Sequence, residues 1–158
     1  MGFGLPYSIG ACLANERRRT ILINGDGAFQ MNIQELETLV RLQIPVKIFI
    51  WNNQGYASIR SMQNNNFGGF QVASGESSGL SMPDTVKVAA AYGLKTFRIM
   101  DNKQLEQRIE EVLNAEGPVL CELMISPDET VSPRTKTIVH EDGSMESYPL
   151  EKMWPCVE

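Results

Sequence analysis

Asp26 stands between Gly25 and Gly27, and a pair of asparagines, Asn52 and Asn53, follows one helical and one extended segment later. Asp26 offers one hard carboxylate and Asn53 an amide oxygen. Gly25, Gly27 and the amides after them let an anion approach the backbone without side-chain obstruction. One carboxylate with neutral oxygens is too weak a donor set for a dedicated calcium cage. It suits Mg²⁺, which takes few protein ligands and completes its octahedron with phosphate oxygens and water. Taken alone, a Gly-Asp-Gly turn explains Asp26 as an ordinary turn residue. The second polar loop, with Asn53, tips the reading to a metal ligand, and the residues together point to a diphosphate held with Mg²⁺.

Such a site needs elements that bring both loops to one place. Ile21, Leu22 and Ile23 run into Asn24–Gly27, and the apolar run Val46–Trp51 runs into Asn52–Gly55. Between them Ile33, Leu36, Leu39, Val40 and Ile44 keep helical spacing, predicting a helix over Asn32–Gln43 that Pro45 ends. Asn32 is the expected N-cap, with Glu35 completing an approximate capping box. Strand, helix and strand of this size form a right-handed βαβ unit, with both loops at the carboxyl edge of a parallel sheet. Open α/β sheets bind ligands at that edge.

The rest of the chain extends the same pattern. Pro6 opens a helix over Tyr7–Asn15, of small and apolar residues suited to close packing on a sheet. The strand Thr20–Asn24 is apolar enough to be covered on both faces. Further helices are expected over Gly55–Gln63, from Asp84 to Ala91 with Gly93 as its stop, and over Lys103–Ala115; further strands over Leu94–Ile99 and Pro118–Ile125. Residues 64–82 carry no periodicity, and read either as a surface loop or as a lid closing with Phe67 and Phe70. Phe49 and Trp51 read as core residues. After Pro127 the chain turns polar, an extended arm whose closing stretch Tyr148–Pro155 has apolar anchors for docking. The expected organisation is a domain over 1–126 and an arm over 127–158.

Composition excludes several classes. With 42% hydrophobic and 21% charged residues the chain is ordinary for a globular domain, and its 158 residues bury about two-thirds of their unfolded surface. A net charge of −5 argues against nucleic acid or an anionic membrane as partner. No apolar run approaches the roughly 20 residues of a membrane span, and no signal peptide is visible. Cys12, Cys121 and Cys156 are odd in number and lack metal spacing, which reads as reduced thiols in a cytoplasmic protein. His140, beside Glu141 and Asp142, reads as a surface residue, and Glu35 and Glu37 as a solvated helix face. A dinucleotide fingerprint is disfavoured, because G-x-G-x-x-G needs glycine where Gln30 stands.

Gly25-Asp26-Gly27 followed by Asn52-Asn53 resembles the signature of thiamine-diphosphate (ThDP) enzymes. Met1-Gly2-Phe3-Gly4-Leu5-Pro6, Ile9-Gly10-Ala11, Gln34–Thr38, Pro83-Asp84, Ala89–Gly93 and Gly117-Pro118 are similar to the acetolactate synthase branch, over residues 1 to 126. The resemblance implies a parallel-sheet, Rossmann-like three-layer α/β/α fold, truncated at its N-terminus. It also implies that Asp26, the Asn53 side chain and the Gly55 carbonyl bind Mg²⁺, while Gly25, Gly27, Ala28, Asn53 and Gly55 hold the cofactor. Met1 matches a bulky apolar residue that wedges the cofactor into a bend, bringing its aminopyrimidine nitrogen to the thiazolium carbon. Some members use a flavin, for which no residue here speaks.

No residue matches the glutamate that protonates the aminopyrimidine, which the family supplies from another domain, usually of a neighbouring subunit. The chain is therefore expected to be a fragment, a truncated product or one subunit of a split enzyme. It should be inactive alone, form homo-oligomers, and need a pyrimidine-binding partner. The implied function is decarboxylation and carboligation of 2-oxo acids. The alternatives are a simple ThDP-dependent 2-oxo acid decarboxylase and a non-catalytic assembly module.

Overall fold

The structure, a computed structural model, describes residues 1–129, 132–135, 137–153 and 155. Four strands, β1 (Thr20–Gly25), β2 (Val46–Asn52), β3 (Lys95–Ile99) and β4 (Val119–Met124), form one parallel sheet in the order β1-β2-β4-β3. In-register pairing sets Leu22 beside Ile48 and Ile48 beside Leu120, so these residues share one face. Helices α1 (Gly4–Ala14), α3 (Glu35–Leu42) and α5 (Thr85–Ala91) cover that face through Leu5, Ile9, Cys12, Leu36, Leu39 and Ala89. The other face packs Phe49, Cys121 and Val119 against Val112 of α6 (Leu105–Asn114). This is the expected three-layer α/β fold.

Polar groups finish the second layer. Lys47 of β2 lies buried, and its ammonium donates to the carbonyls of Ala115 and Gly117, while Arg19 donates to Leu113 O at 3.2 Å. The last carbonyls of α6 are thus met by cations, where a helix carries its negative end.

Several expectations are corrected. α1 begins at Gly4, before Pro6, because Gly4 lies so close to β1 that a Cβ there would stand 3.2 Å from Leu22. β1 is an edge strand covered on one face only: Leu22 is buried, but Ile21 and Ile23 are 52% and 61% exposed. The apolar run was right about the strand and wrong about its cover, since α6 sits over β3 and β4. Trp51, on the same open side, is half exposed and not a core residue.

Asn32 does not cap the crossover helix. The backbone turns helical at once after β1, through a one-turn α2 (Asp26–Phe29) and a 3₁₀ turn over Gln30–Asn32, before α3 begins. The Asn32 amide instead donates to Gly2 O at 2.7 Å and ties the chain start to this turn. α4 (Ala57–Asn66) runs three residues beyond the expected helix end.

Residues 67–82 are held against the site without using their phenylalanines: Ser74 is buried, Gly55 and Gly75 form an isolated bridge, and Phe67 and Phe70 face solvent. The stretch after Pro127 carries a short antiparallel hairpin, β5 (Thr137–Val139) with β6 (Met145–Ser147), at whose end His140 meets Glu146 at 3.2 Å. Leu150, an expected docking anchor, is 73% exposed. Trp154 and Cys156 lie outside the described residues. Among the described residues, no helix is long and apolar enough to cross a membrane.

Candidate metal and diphosphate site

β1 and β2 are neighbours, so the two loops that follow them meet at one edge of the sheet. Asp26 stands there with 1% of its surface exposed. Its Oδ1 accepts the Gly27 N–H and its Oδ2 the Gly55 N–H, both at 2.9 Å. The carboxylate therefore clamps the first loop to the second. Each oxygen keeps a lone pair for another partner.

Electrostatics at this point favour a cation. Burial pushes the Asp26 carboxyl above its ordinary 3.8, although the N–H groups of Gly55, Gly27 and Gln54 pull the other way. A carboxylate that burial makes costly to ionise gains most from a nearby positive charge. The Asn53 side-chain oxygen is buried and accepts no hydrogen bond among the described residues. An orphaned buried acceptor, two residues from the amide that holds a buried carboxylate, is an oxygen donor suited to a hard cation. Among the described residues no group of three or more His, Cys, Asp or Glu gathers, here or elsewhere. The residues present thus fit Mg²⁺, with most of its shell left to phosphate and water.

The two glycines of the first loop do different things. At Gly25 a Cβ would meet nothing within 4 Å, leaving the loop open to a ligand as expected. At Gly27 it would stand 2.4 Å from the ring of Tyr56. This second glycine also makes room for a side chain of the protein. Ala28 follows on α2, half-buried. Gly55 has a φ of +137°, and a Cβ there would fall 2.5 Å from Ser74 O, so glycine is required twice over. Met1 is two-thirds exposed, beside a Gly2 that Asn32 and Met31 hold closely.

Sequence reading missed the brace around the second loop. The Arg60 guanidinium, from α4, donates to Asn53 O at 3.0 Å, Ser74 O at 3.1 Å and Pro127 O at 2.8 Å, and Tyr56 N–H donates to Ser74 O at 2.9 Å. One cation thus joins the Asn53 loop, the 67–82 stretch and the start of the C-terminal arm. An arginine in a segment read only for its apolar positions gave no sequence signal of this.

Geometry defines a parallel α/β domain in which the buried Asp26 carboxylate joins two loops at the carboxyl edge of the sheet. Comparison with known proteins agrees: residues 1–123 match the family described as thiamine pyrophosphate enzyme, C-terminal TPP binding domain, and the chain belongs to that family. It is 37% identical over 133 residues to an acetolactate synthase large subunit of Cyanidium caldarium, covering 84% of this chain and 22% of that protein. The acetolactate synthase isozyme 2 large subunit of Escherichia coli (strain K12) is 35% identical over 153 residues, covering 97% and 26%. Among solved structures, the Rhodococcus jostii RHA1 thiamine diphosphate-dependent 4-hydroxybenzoylformate decarboxylase superposes with a TM-score of 0.71 at 31% identity, over 82% of this chain and 24% of that one. The chain spans about a quarter of the length of the relatives it matches.

Proposed function

We propose that this chain is the diphosphate-binding part of an acetolactate-synthase-like enzyme acting on 2-oxo acids, and that it holds thiamine diphosphate through Mg²⁺. The observation that carries this reading is Asp26, buried and clamped between Gly27 and Gly55, with the orphaned Asn53 oxygen nearby. Asp26, Asn53 Oδ1 and the Gly55 carbonyl would hold the cation, and Gly25, Gly27 and Ala28 would line the diphosphate. Such a cofactor supplies an electron sink for breaking the carbon–carbon bond beside a 2-oxo group. The chain's own contribution is to bind and orient. The wedge role implied for Met1 is kept, with the anchored Gly2 supplying the fixed backbone that role requires.

A proton donor for the aminopyrimidine is not among the residues assigned here, so a pyrimidine-binding domain or subunit is proposed as partner and the isolated chain is taken to be inactive. The structural likeness to a decarboxylase favours decarboxylation as the step shared by either enzyme reading.

Calorimetric titration of the chain with thiamine diphosphate, with and without Mg²⁺, tests the site. Binding that requires Mg²⁺ and vanishes in Asp26→Ala is the expected result. Binding indifferent to either the metal or Asp26 would overturn it.

A further inference from the structure

Glu122 is the one acidic residue in the apolar strand β4, and it is 1% exposed. A buried carboxylate must be paired and hydrogen-bonded to persist. Its Oε2 accepts Arg98 Nε at 2.5 Å, and its Oε1 accepts the Asn52 amide at 2.7 Å. Arg98 in turn donates to Asp84 at 2.8 Å. The ion pair explains why Glu122 is tolerated. It does not explain the second oxygen, which is spent on a neutral amide at the very end of β2.

What Asn52 does with its other end gives the answer. Its Oδ1 accepts the Gln54 N–H at 3.0 Å, across the turn that carries Asn53. That turn is conformationally costly: Gln54 has a φ of +60° and Gly55 of +137°. Its shape aims the Gly55 N–H at Asp26, and nothing in β2 alone would fix it. An asparagine amide can rotate by half a turn. Glu122 accepts only, so it forces the NH₂ toward itself and the oxygen toward Gln54. The same row borders a cleft of about 440 Å³ at the carboxyl ends of β2, β4 and β3, lined in part by Asn52, Gln54, Asp84 and Arg98.

We propose that Glu122 is a positioning residue: through the amide of Asn52 it presets the Gln54–Gly55 turn that meets Asp26 and presents Asn53. Its benefit to a bound cation rests on the reading in the preceding subsection; the preset turn does not, because every contact named is between the chain's own residues.

Amide hydrogen exchange of the unligated chain separates this role from simple structural support. In Asn52→Ala and in Glu122→Met, exchange at Gln54 and Gly55 is expected to rise about tenfold through local opening. The double variant should rise no further than either alone. A purely structural ion pair would instead speed exchange at Phe49 and Cys121, in the middle of the sheet, and leave the turn alone. Native rates at Gln54 and Gly55 in Asn52→Ala, or acceleration only in step with Phe49 and Cys121, would overturn the proposal. Should Glu122→Met not fold, Glu122→Gln, which keeps the shape but can also donate and so no longer dictates the Asn52 amide, decides in its place. Where the unmodified chain binds Mg²⁺ with thiamine diphosphate, both variants should weaken the metal by about tenfold or more. Absence of that binding in the unmodified chain counts against the cofactor reading, and the exchange pattern still decides the role of Glu122.

Discussion

At the residue scale the site is governed by where side chains are forbidden as much as by where they act. Gly27 and Gly55 are both required, for reasons that differ and can be separated. A Cβ at residue 27 would stand 2.4 Å and 2.6 Å from two carbons of the Tyr56 ring, which is the far part of a side chain that can swing aside. Gly27→Ala should therefore cost about 1–3 kcal/mol of stability, the usual range for an overpacked contact. In the double variant with Tyr56→Ala most of that penalty should disappear, giving a coupling of about 1 kcal/mol or more in denaturant unfolding. Strict additivity of the two substitutions would show that the ring is not the obstacle. Gly55 offers no such relief, because its obstacle is the backbone oxygen of Ser74 and its φ of +137° is itself hostile to any side chain. The carboxylate between these glycines is costly to bury, and the protein spends two N–H groups on it.

At the scale of elements, the strands were legible from their apolar runs and the helices from their spacing, while their ends were decided by contacts no local pattern records. Asp84 is the case where the local signal was sufficient: its carboxylate accepts the Lys87 N–H at 3.1 Å and caps α5 as expected. Asn32 is the opposite case, a plausible cap drawn away by a carbonyl thirty positions earlier in the chain. Glu122 left a signal that an apolar strand should not contain, but its partners Asn52 and Arg98 lie on two other strands and were not readable. Of the candidate site, Asp26 and Asn53 were singled out by type and spacing and Gly55 through the family resemblance; the braces from Arg60 and Asn52 were not, because long-range hydrogen bonds have no period. The Asp84 cap makes a prediction with a definite pH sign. The Lys87 N–H, and after it Arg98, hold the Asp84 carboxyl below its ordinary 3.8. A depressed pKa contributes stability that is complete above the ordinary value and lost as pH falls through the folded one. Asp84→Ala should thus cost about 1 kcal/mol at neutral pH, and the gap from the unmodified chain should narrow below pH 3.8. Asp84→Asn, which keeps an accepting cap and gives up the charge, should fall between them in thermal unfolding. A gap that stays constant down to pH 2 would show that the charge contributes nothing, with pH 2 taken as about two units below the ordinary carboxylate value.

At the scale of the whole molecule the sheet is covered on one face, while on the other α6 covers β3 and β4 and leaves the β1 end open. Among the described residues β1 pairs with β2 alone, and Ile21, Ile23 and Trp51 stand exposed on the side that α6 does not reach. An edge strand with unpaired backbone groups and two large aliphatic side chains is a template for another strand, and natural proteins cover or charge such edges. Among the described residues neither device is present along β1, whose polar side chains are Thr20 and Asn24, near its ends. Apolar cover over this face would stabilise by about 25 cal/mol for each Å² removed from water, which gives the isolated chain a reason to associate. We expect self-association in sedimentation velocity that grows with concentration and is lost in the paired variant Ile21→Lys, Ile23→Lys. Both positions point away from the core that holds Leu22, so the variant should keep its thermal midpoint and its Asp26 clamp. Unchanged association in a folded paired variant would place the contact on another surface, and a concentration-independent monomer in the unmodified chain would mean that the open edge does not self-pair.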